Sequence, residues 1–218
     1  MVKTRFLFVM VSRTDTGIAK IIRAVSRYPY NHVSVTLDPS LRRWYSFARY
    51  VQDAPLYGGF VCESVERFCA ATGDARVRIF RVEIPEKTAS RLEELQVLAG
   101  QTDSGLIYNH FDAAAGVLGC HFPVPSSHTC LSFACELLDR RHLTIQSLCD
   151  DLAPYRIYEG SLNALTPVTE NRDEPYFSRL GLIQGTSLSA LQLAKLTTRS
   201  VIHGFNSYMA NRFHRTAQ

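Results

Sequence analysis

The chain has 218 residues, of which 46% are apolar and 20% charged, and this is ordinary for a folded globular protein. The length allows one domain, or one domain with an appendage, and a sizeable hydrophobic core. The net charge of +4 is mild and the basic residues are scattered, so the composition argues against a nucleic-acid partner.

An apolar run at residues 6–11 is too short for a secretion signal or a membrane span. We therefore expect a strand at this position and a cytoplasmic protein. In that compartment the six cysteines are expected to be free thiols. Their spacings match no common zinc pattern, so neither a metal nor a cofactor is expected.

Hydrophobic periodicity predicts the elements of the first half of the chain. A strand is predicted at residues 3–12, followed by a helix that carries Ile18, Ile21, Ile22 and Val25. Residues 32–37 alternate strictly, which predicts a strand with Val33, Val35 and Leu37 on one face and His32, Ser34 and Thr36 on the other. Residues 43–49 are the predicted antiparallel partner, and Gly58-Gly59 indicates a tight turn or a close backbone approach.

The second half combines strands and helices. Strands are predicted at residues 76–84 and 156–160, a helix from Thr88 to Gly100, and a short helix or turn at residues 145–152. Residues 108–119 are predicted to be a short helix or an irregular segment. Beyond Glu174 no acidic residue occurs, and residues 188–213 are predicted to form one long or interrupted helix.

Residues 125–140 are the stretch most suggestive of chemistry. Pro125, Ser126, Ser127 and Thr129 provide turn and N-cap side chains, and the apolar residues that follow recur at helical spacing. Cys130 is therefore expected in the first turn of a helix, where the positive end of the dipole favours thiolate and free N–H groups can stabilise an oxyanion. The alternative is that Cys130 is a small buried apolar residue, as most free cysteines are.

A cysteine nucleophile needs a base, and histidine suits neutral pH. His128 is the local candidate, while His110, His121 and His142 lie in neighbouring segments, and His203 and His214 lie in the basic C-terminal region. His32 differs from all of these because it begins a predicted strand. A histidine fixed on a strand and facing a helix N-terminus is the arrangement of papain-like hydrolases.

Four stretches carry a resemblance to a known family: residues 31–38, 44–49, 58–61 and 128–133. They resemble the permuted NlpC/P60-like cysteine hydrolases, which include YiiX-like and lecithin:retinol acyltransferase-like proteins. In that group the histidine strand precedes the cysteine helix, as it does here. The resemblance spans about residues 3 to 165.

The resemblance implies an α+β, papain-like and circularly permuted fold: an antiparallel sheet or open barrel packed against helices. Residues 1–170 would form the catalytic domain, and residues 171–218 a basic amphipathic helical tail. It implies Cys130 as nucleophile and His32 as general base and then acid. The third, imidazole-orienting residue is expected on the strand after the histidine strand, where Ser46 is best placed and Tyr45 is the alternative.

These expectations lead to three functional hypotheses. The first is a cysteine hydrolase that cleaves a peptide-like amide or an ester through an acyl-enzyme. The second is a thiol-dependent acyltransferase acting on lipid or amine acceptors. The third is a papain-like binding module without turnover, which the absence of a carboxylate between Arg42 and Val51 favours. The basic tail could meet a membrane surface, its own domain or a second copy of the chain.

Overall fold

The computed structural model describes residues 3–14, 23, 27–117, 119–169 and 174–216. The predicted helix that carries Ile18, Ile21, Ile22 and Val25 lies outside these residues. The described chain is α+β, with one eight-stranded sheet that stays open and seven α-helices. The α+β class expected from the sequence is confirmed, and the sheet does not close into a barrel.

The eight strands are β1 (Thr4–Ser12), β2 (His32–Thr36), β3 (Arg43–Arg49), β4 (Gly58–Ser64), β5 (Arg76–Pro85), β6 (Ile107–Tyr108), β7 (Ser127–His128) and β8 (Arg156–Ser161). Their order across the sheet is β7-β6-β4-β3-β2-β1-β5-β8. All neighbouring pairs are antiparallel except β6 and β7, which run parallel. The sheet is therefore mixed, whereas the resemblance implied an antiparallel one.

The seven α-helices are α1 (Val65–Cys69), α2 (Glu86–Gln96), α3 (His110–Val117), α4 (Cys130–Leu137), α5 (Ile145–Leu152), α6 (Leu162–Leu165) and α7 (Leu182–Thr216). Short 3-10 turns occur at Ala153–Tyr155 and Pro175–Phe177. The predicted helix from Thr88 begins earlier, after Pro85, since proline is favourable at a helix start. Gly100, with φ +81°, ends the turns that follow this helix.

Two apolar clusters cover the two faces of the sheet. The larger includes Val33, Val35, Phe47, Phe60, Phe133 and Leu148, so it joins the central strands to α4 and α5. The smaller includes Met10, Trp44, Val65, Phe68 and Leu162, and is covered by α1 and α6. The alternation of β2 follows from this arrangement, because Val33 and Val35 enter the larger cluster while His32, Ser34 and Thr36 lie on the other face.

Gly58 and Gly59 form the start of β4 and not a turn. A Cβ at Gly59 would lie 2.1 Å from the Tyr50 hydroxyl and 2.2 Å from the Leu106 carbonyl oxygen, and a Cβ at Gly58 would lie 2.5 Å from the Ala48 carbonyl oxygen. The close backbone approach expected from this glycine pair is therefore confirmed, and the tight turn is not.

The segment predicted as a tail contacts the sheet. On α7, Leu196 is fully buried, and Gln192 bonds the backbone of Gly58 through both its amide nitrogen and its oxygen. The predicted helix is confirmed as one continuous element. Within the part of the chain that the structure describes, no helix is long and apolar enough to cross a bilayer.

Candidate active site

Cys130 is the first residue of α4, as the sequence predicted. Thr129 is the N-cap: its side chain accepts from the Ser132 amide, and the Ser132 hydroxyl accepts from the Thr129 amide. This reciprocal capping box fixes where the helix begins. The Cys130 residue is 8% exposed and belongs to the main apolar cluster, so its thiol is largely shielded from water.

A short turn delivers the chain to this helix. The Ser127 amide donates to the Val124 carbonyl at 3.1 Å, and the intervening Ser126 has a left-handed φ of +56°. A non-glycine residue in that conformation is strained, and such strain is concentrated at functional sites. The turn then runs into β7, whose His128 pairs with Tyr108 of β6.

His32 lies at the first position of β2, where it reaches two partners. Its Nε2 atom is 2.9 Å from Glu63 Oε2. The Cys130 side chain is also close enough to raise the pKa of the imidazole, through its charge and a side-chain hydrogen bond. Because Nε2 faces the carboxylate, Nδ1 is the ring nitrogen left for the thiol.

Glu63 is the residue that the sequence reasoning missed. It lies on β4, one strand beyond the segment in which a third residue was expected, and its side chain is only 4% exposed. Ser46 lies on β3 with its hydroxyl 2.5 Å from Glu63 Oε2 and 3.3 Å from His32 Nε2. The chain therefore does bring a carboxylate to the imidazole, and Ser46 supports that carboxylate as well as touching the ring.

The Glu63 carboxylate has further partners. Ser34 donates its hydroxyl hydrogen to Oε2 at 2.9 Å, and Arg67 Nε lies 3.3 Å from Oε1. Arg67 is itself held by the Arg49 carbonyl and by the face of the Tyr176 ring, 4.1 Å from its centroid. A buried charge requires this kind of complete partnering, since an unpaired carboxylate would be strongly destabilising.

These contacts fix the charge states of the pair. Burial alone would lower the pKa of His32, but the charges of Glu63 and Cys130 outweigh it and raise the pKa to about 10. Burial alone would raise the pKa of Glu63, but His32, Arg67 and the hydrogen-bonding hydroxyls lower it to about 2. At neutral pH the site therefore holds an imidazolium against a carboxylate, with the Cys130 side chain beside them.

Tyr45, the alternative third residue, lies away from the imidazole. Its ring stacks on Phe60 of the main cluster, with centroids 6.0 Å apart, and its hydroxyl pairs with Cys62. It therefore faces the opposite side of β3 from Ser46. Tyr108 lies closer to the thiol: burial first, and then the Cys130 charge, raise the pKa of this phenol.

The competing histidines have other partners. His128 lies 3.5 Å from Glu136, and burial lowers the pKa of its imidazole. His121 and His142 pair with Asp112 and Asp151 at 2.6 and 3.0 Å, and His110 meets the Leu56 carbonyl. His203 is exposed on α7, and the side chain of His214 is outside the described part of the chain. Of the histidines with described side chains, only His32 interacts with Cys130.

Three of the other five cysteines lie where the neutral thiol is favoured. All six are free thiols, as expected. Burial raises the pKa of Cys69, Cys135 and Cys149, which places them in their neutral form. Among the described residues no group of three or more His, Cys, Asp or Glu side chains could hold a metal ion.

A cleft of about 620 Å³ lies beside this site. Its lining includes Cys62, Arg67 and Tyr176 but neither Cys130 nor His32. Arg67, the ion-pair partner of Glu63, is therefore shared between the cleft and the site.

The paired charges predict how stability depends on pH. The contribution of Glu63 should be complete above about pH 4.5 and lost as pH falls toward 2, because its pKa is lowered on folding. The contribution of His32 should be complete below about pH 6.5 and lost as pH rises toward 10, because its pKa is raised. We therefore expect the pair to stabilise the fold most between about pH 4.5 and about pH 6.5. Glu63→Gln should weaken the loss of stability on both the acidic and the basic side of this range.

Melting temperatures of the wild type and of Glu63→Gln, measured from about pH 3 to about pH 9, test this expectation. The exposed Glu94 provides the matched control as Glu94→Gln, which should keep the wild-type profile. Parallel profiles for wild type and Glu63→Gln would contradict the assignment of these charge states.

Cys130, His32 and Glu63 are thus arranged like a thiol nucleophile, a base and a carboxylate that orients the base. They are contributed by α4, β2 and β4. Known proteins offer nothing further: no family model, no curated protein and no solved structure matches the chain.

Proposed function

We propose that this protein is a cysteine hydrolase that cleaves an amide or ester bond through a Cys130 acyl-enzyme. The observation that carries the proposal is the polar chain from Cys130 through His32 to Glu63. A nucleophile beside a base that is itself oriented by a third group is the general signature of covalent acyl transfer. The papain-like, permuted relationship suggested by the sequence agrees with this order of residues and belongs to the same proposal.

In the proposed mechanism Cys130 attacks as thiolate, with His32 as its imidazolium partner. The S–C bond forms as the carbonyl π bond opens, and the Cys130 backbone N–H, free at the start of α4, donates to the resulting oxyanion. His32 then gives its proton to the leaving nitrogen or oxygen, which departs as amine or alcohol. A thioester remains on Cys130.

In the second half His32, now neutral, removes a proton from water as the water attacks the thioester. The C–S bond then breaks and the carboxylic acid leaves, and the thiolate and the imidazolium are restored with the proton from water on His32. Glu63 keeps the imidazole oriented in both halves and stabilises its charged form. Since Glu63 touches no reacting atom, it is a positioning residue.

The buried carboxylate supports turnover over the alternative of a binding module. The binding module was favoured by the absence of a carboxylate next to Ser46 in the sequence. Glu63 supplies that carboxylate from the neighbouring strand. Transfer of the acyl group to an amine or alcohol uses the same thioester, so the acyltransferase alternative differs only in the acceptor.

The acyl-enzyme is directly observable by intact-mass spectrometry. Wild-type protein mixed with p-nitrophenyl acetate and quenched rapidly should carry one acetyl adduct, and peptide mapping should place it on Cys130. Cys130→Ala should lose that adduct. Cys135→Ala removes a buried thiol of the same helix and should retain it. An adduct that maps elsewhere, or that persists in Cys130→Ala, would overturn the proposal.

A further inference from the structure

The last helix presents an apolar face to solvent. On α7, Ile183, Leu191, Val201, Ile202 and Phe205 are between 54% and 82% exposed. With about 100° between successive residues, these five positions lie within an arc of about 100°. Ser187 and Thr198 interrupt this apolar row, but Val201, Ile202 and Phe205 lie close together at its distal end. Isolated exposed apolar residues are ordinary, whereas a group of large ones on one helix face is a feature of interaction sites.

This exposed face is not the one that holds the helix to its own domain. The face turned to the domain contains Ser189, Gln192 and Leu196, which are at most 7% exposed. Its centre lies about 160° around the helix axis from the centre of the apolar row. One side of the helix therefore packs on the domain, while the apolar side is exposed in the described chain.

The apolar row extends past the domain. Every residue from 201 to 207 is exposed, whereas Leu196, one turn earlier, is fully buried. The distal part of α7 is thus separated from the sheet while remaining helical. Val201, Ile202 and Phe205 lie in this distal part.

The charge of α7 indicates what covers the row. Residues 182–216 contain Lys195, Arg199, Arg212 and Arg215, and no Asp or Glu. Arg199 donates to the Gly105 carbonyl of the domain, so Lys195, Arg212 and Arg215 are the positive charges left for an outside surface. A second copy would bring two helices of the same charge together without the opposite charges that select helix pairs. An anionic lipid surface complements both the apolar row and the positive charge.

We propose that the distal half of α7 docks in the interface of an anionic membrane, lying along the surface with Val201, Ile202 and Phe205 inserted. It would lie in the interface plane, since α7 is not apolar enough to cross the bilayer. This surface is independent of the Cys130 site and does not require the proposed catalytic function.

Co-sedimentation with vesicles of phosphatidylcholine containing phosphatidylglycerol tests the proposal. We expect binding at low salt, little binding to pure phosphatidylcholine, and loss of binding as salt is added. Ile202→Glu combined with Phe205→Glu should lower the partition coefficient about tenfold or more. Leu182→Glu, which is 84% exposed but off the apolar row, is the matched control and should bind as wild type does.

A fluorescence variant reports insertion directly. The chain has one tryptophan, Trp44, which is fully buried. The emission of Phe205→Trp should shift to the blue when anionic vesicles are added, while wild-type emission stays constant. No binding at low salt, or binding that the Ile202/Phe205 double variant retains, would overturn the proposal. If the wild type forms a dimer without lipid and the double variant is monomeric, the apolar row is instead an interface with a second copy of the chain.

Discussion

His32→Ala should slow the alkylation of Cys130 about a hundredfold at pH 6, because the proposed pair then loses the group that takes the thiol proton. In the wild type the Cys130 side chain lies within hydrogen-bonding reach of the His32 imidazole. The rate of iodoacetamide labelling, followed by mass spectrometry and mapped to Cys130, measures this difference. The difference between the two proteins should shrink as pH rises, since the variant thiol then ionises unaided.

Two controls make this labelling result specific. His128→Ala removes a histidine close in sequence that pairs with Glu136, and should leave the labelling rate of Cys130 unchanged. Cys130→Ser measures the background from the other thiols, of which Cys120 is exposed. Equal rates in His32→Ala and wild type would show that the two side chains do not form a catalytic pair.

Glu63→Gln should lower turnover of an activated ester by up to about 10⁴-fold, the loss found when the orienting carboxylate of a catalytic triad is neutralised. The amide keeps the volume of the side chain but cannot hold the imidazole in its charged form. The pKa of His32 should fall, because burial is then opposed by one charge fewer. The pH–rate profile and the kcat/KM for p-nitrophenyl acetate measure both effects.

Ser46→Ala provides the graded comparison. Ser46 donates to Glu63 and lies 3.3 Å from the imidazole, so its removal should weaken the site without neutralising it. We expect a loss of about tenfold to a hundredfold, which corresponds to one hydrogen bond to a charged group. A larger loss in Ser46→Ala than in Glu63→Gln would return the third role to Ser46.

Local patterns were sufficient to predict most of the elements. The boundaries of β3 agree with residues 43–49, and those of β2 and α5 agree to within a residue. These segments have clear periodicity because one side of each is buried. The cap of α4 was also predictable, since the Thr129 side chain acts within four residues of its own position.

The third member of the site was harder to predict, because it depends on which strands lie side by side. Glu63 reaches His32 only because β3 and β4 pair with Ser46 opposite Val61, and Trp44 opposite Glu63. The signal in the sequence is a single acidic residue within the apolar strand that follows Gly59. Strand register is a non-local property, and a shift of one residue would turn Glu63 to the other face.

The apolar row of α7 was difficult to assign for a different reason. Helical spacing puts Leu196 on the opposite side of the helix from Leu191, Val201 and Phe205, but the sequence does not say which side packs on the domain. The exposed fractions show that the Leu196 side is the covered one. The alternatives left open for this helix therefore depended on tertiary packing.

The stack of Arg67 on Tyr176 has a consequence for where the protein can be shortened. Tyr176 lies beyond residue 170, within the region predicted as a tail, yet its ring covers the guanidinium that pairs with Glu63. A fragment that ends at residue 170 would lack this cover, along with the Gln192 contacts to Gly58. The smallest unit that preserves the surroundings of Cys130 therefore includes the proximal half of α7.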